Sequence, residues 1–235
     1  MLKIQNLSKS YQKGTYAVKN LSLNVKSGEI YGFVGHNGAG KSTAIKSIVG
    51  ALGFDAGEIL INGNSIKDEP IKAKKDMAYI PDNPDIYEYL TGIQYINFVC
   101  DIYGVGDERN EKIEKYATDF EIKENLGDLI STYSHGMKQK LVLISALVHS
   151  PKLLVLDEPF VGLDPIASFR LKEIMKELCK NGSAIFFSSH VLEVVEKLCD
   201  RVGIIKKGEL VKEGKMQEII GDKSLEKLFL EIADE

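Results

Sequence analysis

The stretch Gly35-His36-Asn37-Gly38-Ala39-Gly40-Lys41-Ser42-Thr43 contains the pattern G-x-x-x-x-G-K-[ST] over residues 35–42, the spacing of a phosphate-binding loop. The chemistry follows from the residue types. The three glycines permit backbone conformations closed to other residues and let a ligand approach the main chain. Successive N–H groups can then converge on phosphate oxygens. A helix starting near Lys41 adds unpaired amides and the positive end of its dipole. Lys41 supplies a point charge for β- and γ-phosphates, and the Ser42 hydroxyl suits Mg²⁺. A second chemical pair is Asp157-Glu158, delivered at the end of the apolar run Leu153-Leu154-Val155-Leu156. In a doubly wound sheet, ligands bind at the carboxyl ends of strands. There Asp157 can reach Mg²⁺ or its water shell, and Glu158 can orient or deprotonate a water.

These groups need elements to hold them. Ile30 to Val34 reads as a strand entering the glycine loop, and Ala44 to Val49 as a helix leaving it. Residues 2–7 and 17–25 alternate apolar and polar as strands, with a turn over 10–15. Residues 57–63 form a short strand closed by Asn62-Gly63, and Met77 to Ile80 another, stopped by Pro81. From about residue 91 the period becomes helical. Thr91-x-x-Gln94 is a capping-box match, and the charge-rich stretch 107–124 reads as a solvated helix face. A further helix runs from about Gly136 to His149. Asp164-Pro165 starts a helix that stops at Asn181-Gly182. Ala184 to Phe187 is a buried strand, and His190 opens a helix to about Cys199. Val202–Ile205 and Leu210-Val211 pair as a hairpin through Lys207-Gly208. Leu225, Leu228, Phe229 and Ile232 then recur at helical spacing.

Composition narrows the function classes. A net charge of −4 gives no reason to expect nucleic-acid binding. Three widely spaced cysteines, Cys100, Cys179 and Cys199, suit buried reduced thiols rather than a disulfide framework or zinc site. The N-terminal residues lack a signal-peptide layout, and no apolar run reaches the roughly 18 residues of a membrane span.

With the glycine loop and the Asp157-Glu158 strand in place, the chain resembles the nucleotide-binding subunits of ATP-binding cassette (ABC) transporters, over Met1 to about Gly221. The diagnostic segment is Tyr133-Ser134-His135-Gly136-Met137. It is similar to the family signature Leu-Ser-Gly-Gly-Gln, with Ser134 and Gly136 matching and Tyr133, His135 and Met137 departing. The resemblance implies that Ser134 and Gly136 bind the γ-phosphate held by a partner subunit's loop; capping its own helix is the other reading of Ser134. It further implies that Tyr11 stacks on adenine and that Asp82, where many members have glutamine, helps hold Mg²⁺. Val161-Gly162-Leu163-Asp164 would then touch the second subunit, and His190 would contact the γ-phosphate.

The expected fold is α/β: a P-loop NTPase core with a mostly parallel sheet, an N-terminal antiparallel β subdomain and an inserted α-helical subdomain. The core is expected over about 1–82 and 151–221, the helical lobe over about 83–150 and a C-terminal helix over 222–235. The resemblance implies an ATPase using ATP and Mg²⁺, with Lys41, Glu158 and His190 catalytic and Gly35 through Thr43 cradling the nucleotide. The expected partners are a second cassette, identical or related, and separate transmembrane permease subunits, at the cytoplasmic face of the membrane. Export is the direction it most resembles. The alternative is a soluble single-cassette ATPase acting as a mechanical switch in an assembly process.

Overall fold

The protein is described by a computed structural model covering residues 1–12 and 14–234. Two sheets organise it. The first strands, β1 (Leu2–Gln12) and β2 (Thr15–Val25), form a long antiparallel hairpin. The strands extend into the span 10–15 expected to turn. Ser10 pairs with Tyr16 and Gln12 with Thr15, because the Asp55 carboxylate accepts from both the Ser10 amide (2.7 Å) and its hydroxyl (2.8 Å), holding the strand extended. Lys13, part of that expected turn, and Glu235, the end of the expected C-terminal helix, lie outside the described residues.

After β3 (Ile30–Val34) comes the glycine loop and α1 (Lys41–Ile48). β4 (Ala56–Ile61) and β5 (Asn64–Ser65) are joined by Asn62-Gly63 and complete an antiparallel sheet of order β2-β1-β4-β5. α2 (Pro70–Lys75) escaped the sequence reading although Pro70 sits in its first turn, a start signal. β6 (Met77–Ile80) leads into α3 (Gly92–Tyr103), α4 (Arg109–Asp119) and α5 (His135–Leu147). Both halves of the Thr91/Gln94 capping box are formed. β7 (Leu153–Asp157), α6 (Pro165–Lys180), β8 (Ala184–Ser188), α7 (Leu192–Leu198), β9 (Arg201–Lys206), β10 (Glu209–Lys215), α8 (Met216–Ile220) and α9 (Leu225–Asp234) follow.

The second sheet has the order β10-β9-β3-β8-β7-β6. Every pairing from β9 to β6 is parallel; β10 alone runs antiparallel. Its inner strands read as continuous apolar runs because both faces are covered. The alternation is explicit in β7. Leu153 and Val155 pack with Phe33, Ile45 and Phe186 beneath the antiparallel sheet, while Leu154 and Leu156 pack with Leu171, Met175 and the helical lobe. All three cysteines are free and buried, and burial pushes each thiol's pKa up. Among the described residues no helix is long and apolar enough to cross a membrane.

Candidate active site

The strand order decides what meets what. β8 lies between β3 and β7, and Ser188 at its end stands in register with Asp157. The segment after β8 therefore sits between the glycine loop and the Asp157-Glu158 pair, at the carboxyl edge of the sheet.

α1 begins at Lys41 with Gly40 as its N-cap in a left-handed conformation (φ 108°). Any other residue there would be strained, and its Cβ would collide with the Ala17 carbonyl. Gly40 makes no side-chain cap, and no acidic residue sits in the first turn. The helix N-terminus is thus left open to an anion. Lys41 is 7% exposed. Its Nζ donates to the carbonyls of Gly35 (2.6 Å) and His36 (3.3 Å), folded back along its own loop. Neutral carbonyls hold an ammonium less strongly than charged phosphate oxygens.

A cavity of about 410 Å³ opens on this loop, within the ~300–1,000 Å³ usual for small-molecule sites. His36, Asn37, Gly38, Gly40, Lys41, Ser42 and Thr43 form one wall; Tyr11, Ala17, Asp82, Asp157 and Glu158 form the others. Ala39 is buried beneath the loop. Tyr11 is an exposed ring at the rim, its hydroxyl 3.4 Å from Thr43 Oγ1.

Ser188, unassigned from sequence, is the hub of the acidic side. Its buried hydroxyl donates to Asp157 Oδ1 (2.5 Å) and accepts from the Glu158 amide (3.3 Å). Glu158 is held at φ 50°, a left-handed conformation costing roughly 1–2 kcal/mol for an L-residue. Its Oε2 accepts from the His190 amide (3.2 Å) and lies 2.8 Å from His190 Nδ1. An ionised carboxylate can only accept, so Nδ1 carries the proton and Nε2 is the free nitrogen. This pairing corrects one expectation. His190 does not open a helix; its amide is committed to Glu158 and the Val191 amide to Ser189 Oγ (3.1 Å), so α7 starts at Leu192. His190 and Gly35 line a neighbouring cavity of about 190 Å³ rather than the large one.

Burial, with the charges of Asp157 and Asp82, pushes the Tyr79 hydroxyl up to about 12. Asp82 and Asp157 thus act on the same small volume. Among the described residues no three His, Cys, Asp or Glu side chains cluster closely enough to cage a metal. That donor set fits Mg²⁺, which keeps waters and borrows phosphate oxygens, using one or two carboxylates of the protein.

Ser134 and Gly136 stand apart. Ser134 N-caps α5, its Oγ accepting from the Met137 amide (3.3 Å). A Cβ on Gly136 would lie 3.0 Å from the Gly162 carbonyl, so the start of α5 abuts the Val161–Asp164 loop. Asp164 caps α6 through the Ala167 amide (2.8 Å) and pairs with Lys140 Nζ (2.7 Å). Both hold its carboxyl below the usual range, the amide most. Gln139, also unassigned from sequence, is buried and donates from Nε2 to the Asp82 carbonyl (2.9 Å). α5 is thereby tied to the Asp82 loop and the Asp164 loop together.

An open glycine loop after β3, an acidic pair after β7 and a histidine after β8 define a nucleotide-binding cassette of the P-loop type. A family profile described as ABC transporter matches residues 18–161. The chain belongs to the ABC transporter family, as an ATP-binding subunit. It is 38% identical over 215 residues to the linearmycin resistance ATP-binding protein LnrL of Bacillus subtilis (strain 168), covering 90% of this chain and 68% of that protein. Among solved structures, the ATP-binding subunit of an ABC transporter superposes with a TM-score of 0.95 at 33% identity, over 99% of each chain. The cassette MJ0796, solved as a dimer in a post-hydrolysis state with ADP and Pi, superposes at 0.83 with 25% identity, over 92% of this chain and 99% of that one.

Proposed function

We propose that this chain binds MgATP at the Gly35–Thr43 loop, hydrolyses it, and so powers export through separate membrane-spanning subunits. The observation that carries this reading is the convergence of Lys41, Asp157 and Glu158 on one cavity, with His190 bonded to Glu158. Lys41 exchanges the Gly35 and His36 carbonyls for phosphate oxygens, and the loop amides complete the cradle. Tyr11 offers a ring for the base at the rim. Ser42, Asp157 and Asp82 are the donors for Mg²⁺, which when bound neutralises charge on the β- and γ-phosphates. Glu158 orients the attacking water and takes its proton. His190 Nδ1–H fixes the carboxylate, and in the imidazolium form its Nε2–H is left to donate to charge developing on the γ-phosphate.

Ser134 and Gly136 serve the nucleotide of a second cassette in a head-to-tail pair. The post-hydrolysis dimer described for MJ0796 supports pairing, and the name of the B. subtilis relative supports export. The membrane subunits dock between the helical lobe (about 83–150) and the Asp82 loop, at the cytoplasmic face of the membrane. A cavity of about 200 Å³ there is lined by Pro81, Pro84, Tyr95 and the stacked rings of Tyr103 and His149, with Tyr87, Tyr89 and Phe98 exposed nearby. The remaining division is a core over about 1–82 and 151–221 and a tail over 222–235.

The direct test is Lys41→Ala. Removing the principal cation should abolish tight binding of a fluorescent ATP analogue and phosphate release together. Wild-type affinity in that variant would overturn the role given to Lys41.

A further inference from the structure

The ends of the glycine loop and its middle are held differently. At the C-terminal end, Gly40 is pinned against Ala17, and the Ala39 carbonyl accepts from the Gly208 amide (2.9 Å). The middle, His36 to Gly38, is exposed. Yet it must keep its amides convergent, because a cradle that reorganises on binding loses affinity to the cost of ordering.

Against this middle stands a side chain from the far end of the sequence. The Phe229 ring packs on the His36 ring, centroids 4.5 Å apart and tilted by 45°. Phe229 also forms part of the cavity of about 190 Å³ whose other walls include His36, Asn37, Ser189 and His190. One residue of α9 therefore adjoins both the loop that cradles phosphates and the loop that carries the histidine. α9 itself is well anchored. Leu225 and Leu228 are buried, and the Leu225 amide donates to Glu196 of α7 (2.7 Å). Lys206, at the end of β9, donates to the Ile232 carbonyl (2.6 Å). The ring is thus a fixed wall. His36 also contributes one of the two carbonyls that hold Lys41 Nζ, so a shift of His36 moves the group Lys41 must leave.

We propose that Phe229 is a positioning residue for nucleotide binding, acting through His36 to hold the middle of the phosphate loop in its binding geometry. The proposal rests on the assignment of this loop as the ATP site. Phe229 does not line the nucleotide cavity; its effect belongs in affinity, and it passes through one partner.

The experiment titrates a fluorescent ATP analogue into the full chain and into its variants, with thermal melting recorded in parallel. Phe229→Ala should raise Kd roughly 2–10-fold, the scale of an aromatic pair's contribution. Phe229→Tyr, which keeps the ring, should restore affinity. In a His36→Ala background, Phe229→Ala should change Kd no further. Should Phe229→Ala fail to fold, Phe229→Leu keeps apolar bulk without the ring and should give a smaller rise of the same kind. An unchanged Kd in the folded Phe229 variants, or a rise that persists in full without the His36 ring, overturns the proposal. Failure of the wild-type chain to bind, or binding that Lys41→Ala leaves intact, would instead remove the ATP-site reading beneath it.

Discussion

The N-termini of α1 and α5 obey the same electrostatics and are finished in opposite ways. Each offers unpaired amides and a positive dipole end, and neither carries an acidic residue in its first turn. At α1 the cap is a glycine with no side chain to satisfy the amides, and a cavity of about 410 Å³ opens before it. At α5 the cap is Ser134, whose hydroxyl already takes the Met137 amide, and the neighbouring Gly136 is pressed against Gly162. The first end is left open to an anion, beside a cavity of its own chain. The second satisfies itself and remains exposed, so whatever it meets must come from outside. On the proposed reading, a single cassette holds one cradle and offers the α5 end to another.

The largest test of this asymmetry separates chemistry from binding. Glu158→Gln keeps the shape and the acceptor for His190 but loses the base. Hydrolysis should slow by on the order of 10²–10⁴-fold, the scale of general-base catalysis. ATP should still bind, since Lys41, Ser42 and Asp157 are untouched. Bound ATP that is not turned over should recruit the α5 end of a second copy, so the variant should elute as a dimer with ATP and as a monomer with ADP. Brisk phosphate release by Glu158→Gln would discard the catalytic assignment. Slow release without the dimer would mean that Ser134 and Gly136, flanked by His135 and Met137, need the membrane subunits to hold the pair together.

A second test breaks the two ends separately. Lys41→Ala removes the cradle; Ser134→Arg obstructs the α5 end. A mixed dimer retains one site with both halves intact, so mixing two inactive proteins should recover phosphate release. Full activity of the Ser134→Arg chain alone would refute action between subunits.

The same contrast explains what the sequence discloses. The glycine loop, the Leu153–Asp157 strand and the Asp164-Pro165 cap are local patterns, in which residue type and backbone need coincide within a few positions; each stands where the spacing puts it. Long-range partners are not written that way. Ser188 closes a buried apolar strand without a signal of its own, and its bond to Asp157 follows only from the adjacency of β7 and β8. Gln139 and Phe229 read as ordinary helix residues, because nothing in a helical period says that one meets the Asp82 carbonyl and the other His36. His149 gives no sequence signal either. Its stacking on Tyr103 and its burial, which holds its pKa down to about 4, come from tertiary packing alone.

The smallest test compares two serines, one bonded to Asp157 beside the nucleotide cavity and one at the α5 end. Ser188 is buried, and Ser188→Ala leaves an Asp157 oxygen without its donor, while the Glu158 amide keeps the Ser188 carbonyl (3.2 Å). An unsatisfied buried group costs ~1–3 kcal/mol, and here it is the carboxylate proposed to hold Mg²⁺. The variant should melt earlier and should need more Mg²⁺ for half-maximal turnover. Ser134→Ala removes an exposed helix cap, worth ~0.5–2 kcal/mol, and leaves every wall of the nucleotide cavity in place. It should melt slightly earlier, bind nucleotide as a single chain with unchanged affinity, and lose turnover only through the paired state. Melting, single-chain Kd and the Mg²⁺ titration together distinguish the two serines. If Ser188→Ala and Ser134→Ala shift the Mg²⁺ requirement equally, the two ends are not the separate halves that their caps describe. If Ser134→Ala weakens nucleotide binding by the isolated chain, the α5 end serves its own cradle and the head-to-tail arrangement falls with it.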